Sequence, residues 1–368
     1  MINVNSALTR STAPNLLVWR VAPRASVIIV NYNSGAKLSA CLASILETVG
    51  PESEVVVVDN ASGDGSTDAL EREFPQVTLI RSRTNVGFGG GNNIGASWAK
   101  GEYLVFLNPD TVVEAGWLEA MLAPFENDPQ IGLVTSKIVL TDQPDRINTC
   151  GNAIHLTGLT LCRGLGLPRE TFDKSGAVNA VSGAAFAIRR EMFAALGGFD
   201  EDFFLYMEDT DLSWRARLAG WRNWYTPHSV IRHSYALKIT PLKVFYQERN
   251  RYLMLLKNLR WPTLLALLPA LALAEVITWG FVLLADRRNI KNKLLAYQWL
   301  ISNWRRILRK HQATQKLRKV SDRAILRQVG CAIDFAQAAK GPVALLAKLT
   351  FSPLFALLKA ATLALVWW

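Results

Sequence analysis

Two carboxylate-bearing segments dominate the chemistry open to this chain. The run Tyr103–Asp110 (YLVFLNPD) is an apolar, strand-like stretch that ends on Asp110. About a hundred residues later, Phe203–Arg215 (FFLYMEDTDLSWR) sets Glu208, Asp209 and Asp211 just after an aromatic stretch. Brought to one cleft, a strand-end carboxylate can hold the cation that neutralises a diphosphate, and a second carboxylate can deprotonate an attacking hydroxyl. That combination points to chemistry on activated, phosphate-bearing donors.

The elements that must position these acids are legible from periodicity. Ser26–Asn31 is a continuous β-rich run of the kind buried on both faces. A helix is expected over Lys37–Thr48, with Leu38, Cys41, Leu42, Ile45 and Leu46 on one face. Strands follow at Glu54–Val58, Val77–Arg81 and Tyr103–Leu107, with helices at Thr67–Phe74 and Asn92–Lys100 between them. This alternation implies a parallel sheet flanked by helices, whose ligands sit at the carboxyl ends of the strands. Tyr32, Asp59 and Asp110 all fall at such ends. Beyond them the spacing predicts a helix over Trp117–Glu126, strands within Ile131–Leu140 and over Ala180–Arg189, and a helix over Asp209–Ala219 that carries the acids at its start. Acids there also complement the helix dipole, so capping alone explains one of Asp209 and Asp211.

Gly87–Asn92 (GFGGGN), between a strand and a helix, invites comparison with a dinucleotide-binding turn. The third glycine of that pattern is replaced by Asn92, which argues against a nicotinamide-dependent oxidoreductase. The remaining glycines still permit close approach of the backbone to a ligand or to a neighbouring strand.

Taken together, Val27–Asn33 (VIIVNYN), Val55–Ser62 (VVVVDNAS), Asn85–Asn93 (NVGFGGGNN), Leu107–Asp110 (LNPD) and Glu208–Arg215 (EDTDLSWR) resemble the family 2 glycosyltransferases, in the same order. The resemblance covers roughly residues 25 to 260, and LNPD with Glu248–Tyr252 (ERNRY) is most similar to bacterial rhamnosyltransferases of surface-polysaccharide pathways. It implies a GT-A fold, a Rossmann-like α/β mixed sheet flanked by helices, and an inverting sugar transfer. The donor it implies is a dTDP- or UDP-linked sugar, with Mg²⁺ or Mn²⁺ as cofactor and a glycan or polyprenyl-linked acceptor. By this likeness Asp209 is the base, and Tyr32, Asn33, Asp59, Gly87, Asn93, Asn108, Asp110, Glu208 and Arg215 surround the nucleotide sugar. Tyr32 would stack on the base and Asp59 accept hydrogen bonds from base or ribose. Asp110 and His233 would hold the metal. Asn108 stands where the family pattern has an acid, which leaves a single carboxylate on that strand end. Simpler roles also exist: a core tyrosine for Tyr32, a turn former for Asp59, an i,i+4 pairing of Arg215 with Asp211, and a structural histidine at 233. Arg232 and Arg249 are weaker phosphate candidates.

The chain has 368 residues, half of them hydrophobic, twelve Trp and a net charge of +11. Between Asp286 and Arg327 thirteen Lys or Arg face two Asp, so this stretch holds all of the net charge. Such a tail suits nucleic acid or an anionic membrane. The apolar segments on either side, Thr263–Ala285 and Val343–Trp368, favour the membrane and no nucleic acid. Thr263–Ala285 is long enough to span a bilayer, but Glu275 lies near its middle. A single crossing would also export the basic stretch, against the bias of basic loops toward the cytoplasm. A tail lying in the plane of the cytoplasmic face satisfies both constraints. The expected division is an N-terminal tail (1–24), a catalytic domain (25–240), a linking helix (241–261) and a helical membrane-associating region (262–368). Four cysteines form no CxxC pair, and Cys150, His155 and Cys162 lack a fourth zinc ligand, so reduced thiols in a cytosolic domain are expected. No signal peptide is visible. A non-catalytic membrane scaffold is the remaining alternative, and it gives no reason for Asp59, Asp110 and Asp209 to stand at ligand-facing positions.

Overall fold

The computed structural model describes residues 8–10, 22–235, 240–285, 287–333 and 342–368. The expected N-terminal tail therefore lies almost wholly outside the described residues. By contact density the chain divides into two units, each described by itself: 1–151 with 164–212 and 222–235, and 152–163 with 213–221 and 236–368.

The strands are β1 (Leu8–Arg10), β2 (Ala25–Asn31), β3 (Ser53–Asp59), β4 (Thr78–Ser82), β5 (Tyr103–Leu107), β6 (Thr111–Val113), β7 (Ile131–Leu140), β8 (Ile147–Thr149), β9 (Asn152–Ile154), β10 (Thr160–Cys162), β11 (Gly176–Ala177), β12 (Ala185–Arg189) and β13 (Arg222–His233). The first six helices are α1 (Ala36–Leu46), α2 (Leu70–Glu73), α3 (Gly87–Trp98), α4 (Trp117–Asn127), α5 (Arg190–Ala195) and α6 (Glu208–Leu218). All strands but β9 and β10 join one sheet, whose main path runs β1-β4-β3-β2-β5-β12-β7-β13-β11. Its heart, β4-β3-β2-β5, is parallel. β12 then runs antiparallel to both β5 and β7, and β13 is parallel to β7. The sheet is therefore mixed.

Composition explains the centre. All seven residues of β2 are buried, and Val27, Ile28 and Ile29 are fully enclosed. Each such side chain contributes about 1.5–3 kcal/mol relative to exposure. α1 covers one face of the sheet with Leu38, Cys41, Leu42 and Ile45, as its spacing predicts. Three elements differ from expectation, the first being α2, which holds only Leu70–Glu73 of the expected Thr67–Phe74. The glycine run is helix rather than loop, and α3 begins at Gly87 instead of Asn92. The reason is proximity to β2: a Cβ at Gly91 would come within 2.7 Å of Val30, and one at Gly95 within 2.4 Å of Ile28. β12 starts at Ala185, because Ser182–Ala184 form a turn closed by the Ala185 N–H donating to Ser182 O at 3.1 Å.

The second unit holds the β9–β10 hairpin and helices α7 (Pro241–Asn258), α8 (Trp261–Ala285), α9 (Ile290–Ser302), α10 (Trp304–Leu317), α11 (Asp322–Gln328) and α12 (Pro342–Leu365). Glu275, mid-way along apolar α8, is not alone. It accepts hydrogen bonds from Arg251 and Tyr252 of α7 and from Tyr297 of α9, with Lys293 at 3.1 Å. Glu248 of α7 joins the same network, bound to Arg251 at 2.7 Å and to Lys293 at 2.9 Å. The charge that interrupts the apolar segment thus ties three helices together. α8 and α12 each contain a stretch long and apolar enough to cross a membrane by length and composition, Trp261–Leu283 and Leu345–Leu365.

Candidate active site

The carboxyl ends of β2, β3 and β5 lie side by side, because Asn31 is in register with Asp59 and Ile29 with Leu107. The loops that leave them are knitted together. Asn31 donates to the hydroxyls of Ser62 and Ser66 at 2.9 and 2.8 Å. The Asn33 side chain accepts from Gly63 N–H at 2.8 Å, and its own N–H reaches Ser62 Oγ. Asp59 is buried and serves its own turn, accepting from Ser62 N–H at 3.1 Å and from Thr67 Oγ1 at 3.0 Å. Tyr32, at the end of β2, is 50% exposed. It is not a core tyrosine; its ring is available to a ligand at the strand end.

Pairing of short β6 with the end of β13 sets Thr111 opposite His233. His233 Nε2 consequently lies 3.3 Å from Asp110 Oδ1 and 3.5 Å from the Asn108 amide nitrogen. Its other nitrogen, Nδ1, is 2.8 Å from Asn148 Oδ1. An amide oxygen only accepts, so Nδ1 carries a proton; Nε2 faces Asp110, where a proton shared with that carboxylate and a bound cation are alternatives. Lys37 approaches Asp110 to 3.8 Å. Burial favours the neutral acid at Asp110, but the hydrogen bond and charge of His233, with Lys37, outweigh it and hold the carboxyl below its ordinary value.

These groups fit a hard divalent cation. A histidine whose other nitrogen is held by an amide, as Asn148 holds His233, beside an ionised carboxylate is a common half of a metal site. Among the described residues no three or more His, Cys, Asp or Glu form a complete cage. A cation here would rest on Asp110, His233 and oxygens of a bound diphosphate, and would supply positive charge to it.

The acid cluster comes to the same end of the sheet. Asn108 N–H donates to Ala184 O at 3.0 Å, and the neighbouring Gly183 N–H donates to Asp209 Oδ2 at 2.7 Å. Asp209 Oδ1 accepts from the N–H and hydroxyl of Thr210 at 2.6 and 3.1 Å. Burial raises the Asp209 carboxyl above its ordinary value, opposed by the hydrogen bonds from Gly183 and Thr210. Glu208 is pushed up to about 8, first by burial and then by the charges of Asp209 and Asp211. It is mostly protonated at neutral pH, and its Oε2 is buried without a hydrogen-bond partner among the described residues. The approach to this cluster is strained: Phe204, Tyr206 and Met207 have φ of 59°, 68° and 69°. For non-glycine residues such backbone costs about 1 kcal/mol or more each and gathers at functional sites.

Three further sequence candidates make contacts of their own. Gly87 abuts Phe204, and Asn93 bonds both the N–H and the carbonyl of Phe199 at 2.9 Å. Arg215 is buried further along α6. Asn60, Asn148 and Gly183 escaped sequence reasoning. Asn60 alone carried a signal, being part of the Asp59–Ser62 motif; the other two are set by cross-sheet pairing. A cavity of about 350 Å³ beside Ile131 and Trp224 lies at the opposite, amino-terminal ends of β7 and β13, away from these acids.

Residues 26–197 match the family model described as Glycosyl transferase family 2. This chain carries a family 2 glycosyltransferase domain. A Mycobacterium tuberculosis N-acetylglucosaminyl-diphospho-decaprenol L-rhamnosyltransferase is 28% identical over 233 residues, covering 56% of this chain and 75% of that one. The Myxococcus xanthus O-antigen biosynthesis protein RfbC is 28% identical over 228 residues, 57% of this chain but 18% of its own length. Among solved structures, S. aureus TarS 1-349 in complex with UDP-GlcNAc superposes with a TM-score of 0.53 at 17% identity, covering 93% of this chain and 89% of that one. GalNAc-T7 with UDP, GalNAc and Mn²⁺ gives 0.52 at 21% identity, over 64% of this chain and about half (48%) of its own. The glycosyltransferase has the GT-A fold they share.

Proposed function

We propose that this glycosyltransferase moves a sugar from a nucleotide diphosphate to a hydroxyl with inversion at the anomeric carbon. Asp209 takes the proton of the acceptor hydroxyl as that oxygen attacks. Asp110 and His233 face the diphosphate through Mg²⁺ or Mn²⁺, and Tyr32 lies against the base. The observation that carries this reading is the double link Asn108–Ala184 and Gly183–Asp209, which joins the metal-side strand end to the base. The likeness to an L-rhamnosyltransferase named for a diphospho-decaprenol acceptor favours a rhamnose donor and a lipid-linked acceptor, with dTDP and UDP as the two carriers to test. The deciding experiment is a thermal-shift panel of UDP- and dTDP-sugars with and without Mn²⁺. A true donor at a hundred times its Kd stabilises by about 2.7 kcal/mol; no shift with any nucleotide sugar refutes the reading.

The second unit attaches the enzyme to the cytoplasmic face of a membrane, lying in the plane of the interface. Glu275 supports an in-plane tail. Its partners Arg251 and Lys293 sit on α7 and α9, both rich in charge, so the middle of α8 cannot rest at a bilayer centre without drawing those helices in. Exposed Leu265, Val276, Leu346 and Leu357 offer apolar surface to acyl chains, and exposed Arg305, Arg306 and Arg309 offer charge to anionic headgroups.

A further inference from the structure

The glycine-rich start of α3 looks, by motif, like a place for phosphates. Its surroundings say otherwise. Gly87 has φ of +79°, and a Cβ there would lie 2.3 Å from Phe204 O and 2.8 Å from Phe204 Cδ2. The next residue, Phe88, donates its N–H to the same Phe204 O at 2.7 Å. Two residues on, a Cβ at Gly89 would come 3.1 Å from Phe199 Cβ and 3.8 Å from Glu208 Cβ. Asn93 closes the contact, accepting from Phe199 N–H and donating to Phe199 O, both at 2.9 Å. On its other side the same glycine is held by the donor-side loop: Asn60 donates to Gly87 O at 3.1 Å and accepts from Val86 N–H at 2.9 Å.

We propose that Gly87 and Asn93 are positioning residues: they brace the strained 199–207 loop, and through it the Glu208–Asp209 start of α6, against the Asp59–Asn60 loop. The inference rests on the reading of Asp209 as base. Left-handed backbone at Phe204, Tyr206 and Met207 persists only where surrounding structure over-determines it, and this brace supplies that constraint. The Met207 carbonyl then accepts from Asp211 N–H at 2.9 Å, opening the first turn of α6. A fixed loop aims the base; a loosened one leaves it about an ångström astray, which costs about a hundredfold in rate.

The test compares Gly87→Ala and Asn93→Ala with Gly116→Ala in the full chain. Gly116 has a similar φ of +73° but, among the described residues, nothing within 4 Å of its added Cβ, so it reports backbone strain without the clash. Hydrogen exchange is read at residues 199–207, turnover with the sugar donor that the panel selects, and affinity for UDP and dTDP with Mn²⁺ by calorimetry. In the two brace variants exchange at 199–207 speeds up and turnover falls about a hundredfold while nucleotide affinity stays within about twofold; Gly116→Ala changes none of these. Nucleotide affinity falling in step with turnover makes Gly87 and Asn93 ligand contacts and overturns the proposal. Exchange and turnover matching Gly116→Ala overturn it too. If the wild-type chain binds neither nucleotide, the functional reading fails, while exchange at 199–207 still decides the brace. Should Gly87→Ala fail to fold, Asn93→Ala, which adds no atoms, carries the same comparison.

Discussion

Replacing Asp209 by Asn tests the base directly, and the structure sets what to expect. Both carboxylate oxygens are engaged, Oδ2 by Gly183 N–H and Oδ1 by Thr210. An amide can satisfy only one of these donors, because its nitrogen must face the other N–H. Leaving that N–H without an acceptor costs about 1–3 kcal/mol, partly offset because a neutral amide is easier to bury than a carboxylate. Stability should therefore change little. The rate should not: loss of general base catalysis lowers turnover by about 10²–10⁴, or roughly 2.7–5.4 kcal/mol of barrier. The assay is steady-state transfer with the donor found by thermal shift, alongside nucleotide affinity and Tm of the variant. Retained nucleotide affinity with collapsed turnover is the expected result. Near wild-type turnover would refute the argument and reduce Asp209 to a helix cap. The pH profile adds a sign: burial raises the Asp209 carboxyl, so kcat/KM should fall on the acid side with a midpoint above the ordinary carboxylate value.

Four further outcomes follow from the same geometry. Asp110→Ala should weaken Mn²⁺-dependent binding of UDP or dTDP far more than Asn108→Ala, and equal, metal-independent affinity in wild type and Asp110→Ala would remove the metal assignment. Glu208 is raised from 4.5 to about 8, so the folded state binds its proton more tightly; its stabilising effect is whole below pH 4.5 and is lost as pH rises toward about 8. Glu208→Gln should flatten that decline in urea titrations run across the range, whereas an unchanged pH dependence means the carboxyl is not held protonated. Reversing Arg305, Arg306, Arg309 and Lys310 to Glu removes about 1 kcal/mol of headgroup attraction per residue and adds repulsion, so binding to anionic vesicles should weaken by about a thousandfold or more and binding to neutral vesicles far less. Single cysteines at the exposed positions Ser302 and Gln312, with Cys162 and Cys331 changed to Ser, should react only from the cytosolic side; labelling from outside intact cells would show that the basic stretch is exported.

The sequence alone determined the parts of this enzyme that depend on local pattern. Continuous Val/Ile runs make doubly buried strands, and α1 carries its apolar residues at helical spacing, so β2, β3, β5 and α1 were readable to within a residue or two. That Tyr32, Asp59 and Asp110 stand at or just past strand ends was readable for the same reason. Tertiary structure decided what depends on pairing between distant segments. No local signal tells that β12 runs antiparallel between β5 and β7, or that β6 meets β13 so that His233 faces Asp110. Nor could spacing reveal that Glu275 is shared among α7, α8 and α9. The glycine run shows the limit most plainly. Glycine announces that something comes close, but a missing Cβ carries no information about what. Only the fold shows that its neighbours are Val30 and Ile28 on one side and Phe204 on the other.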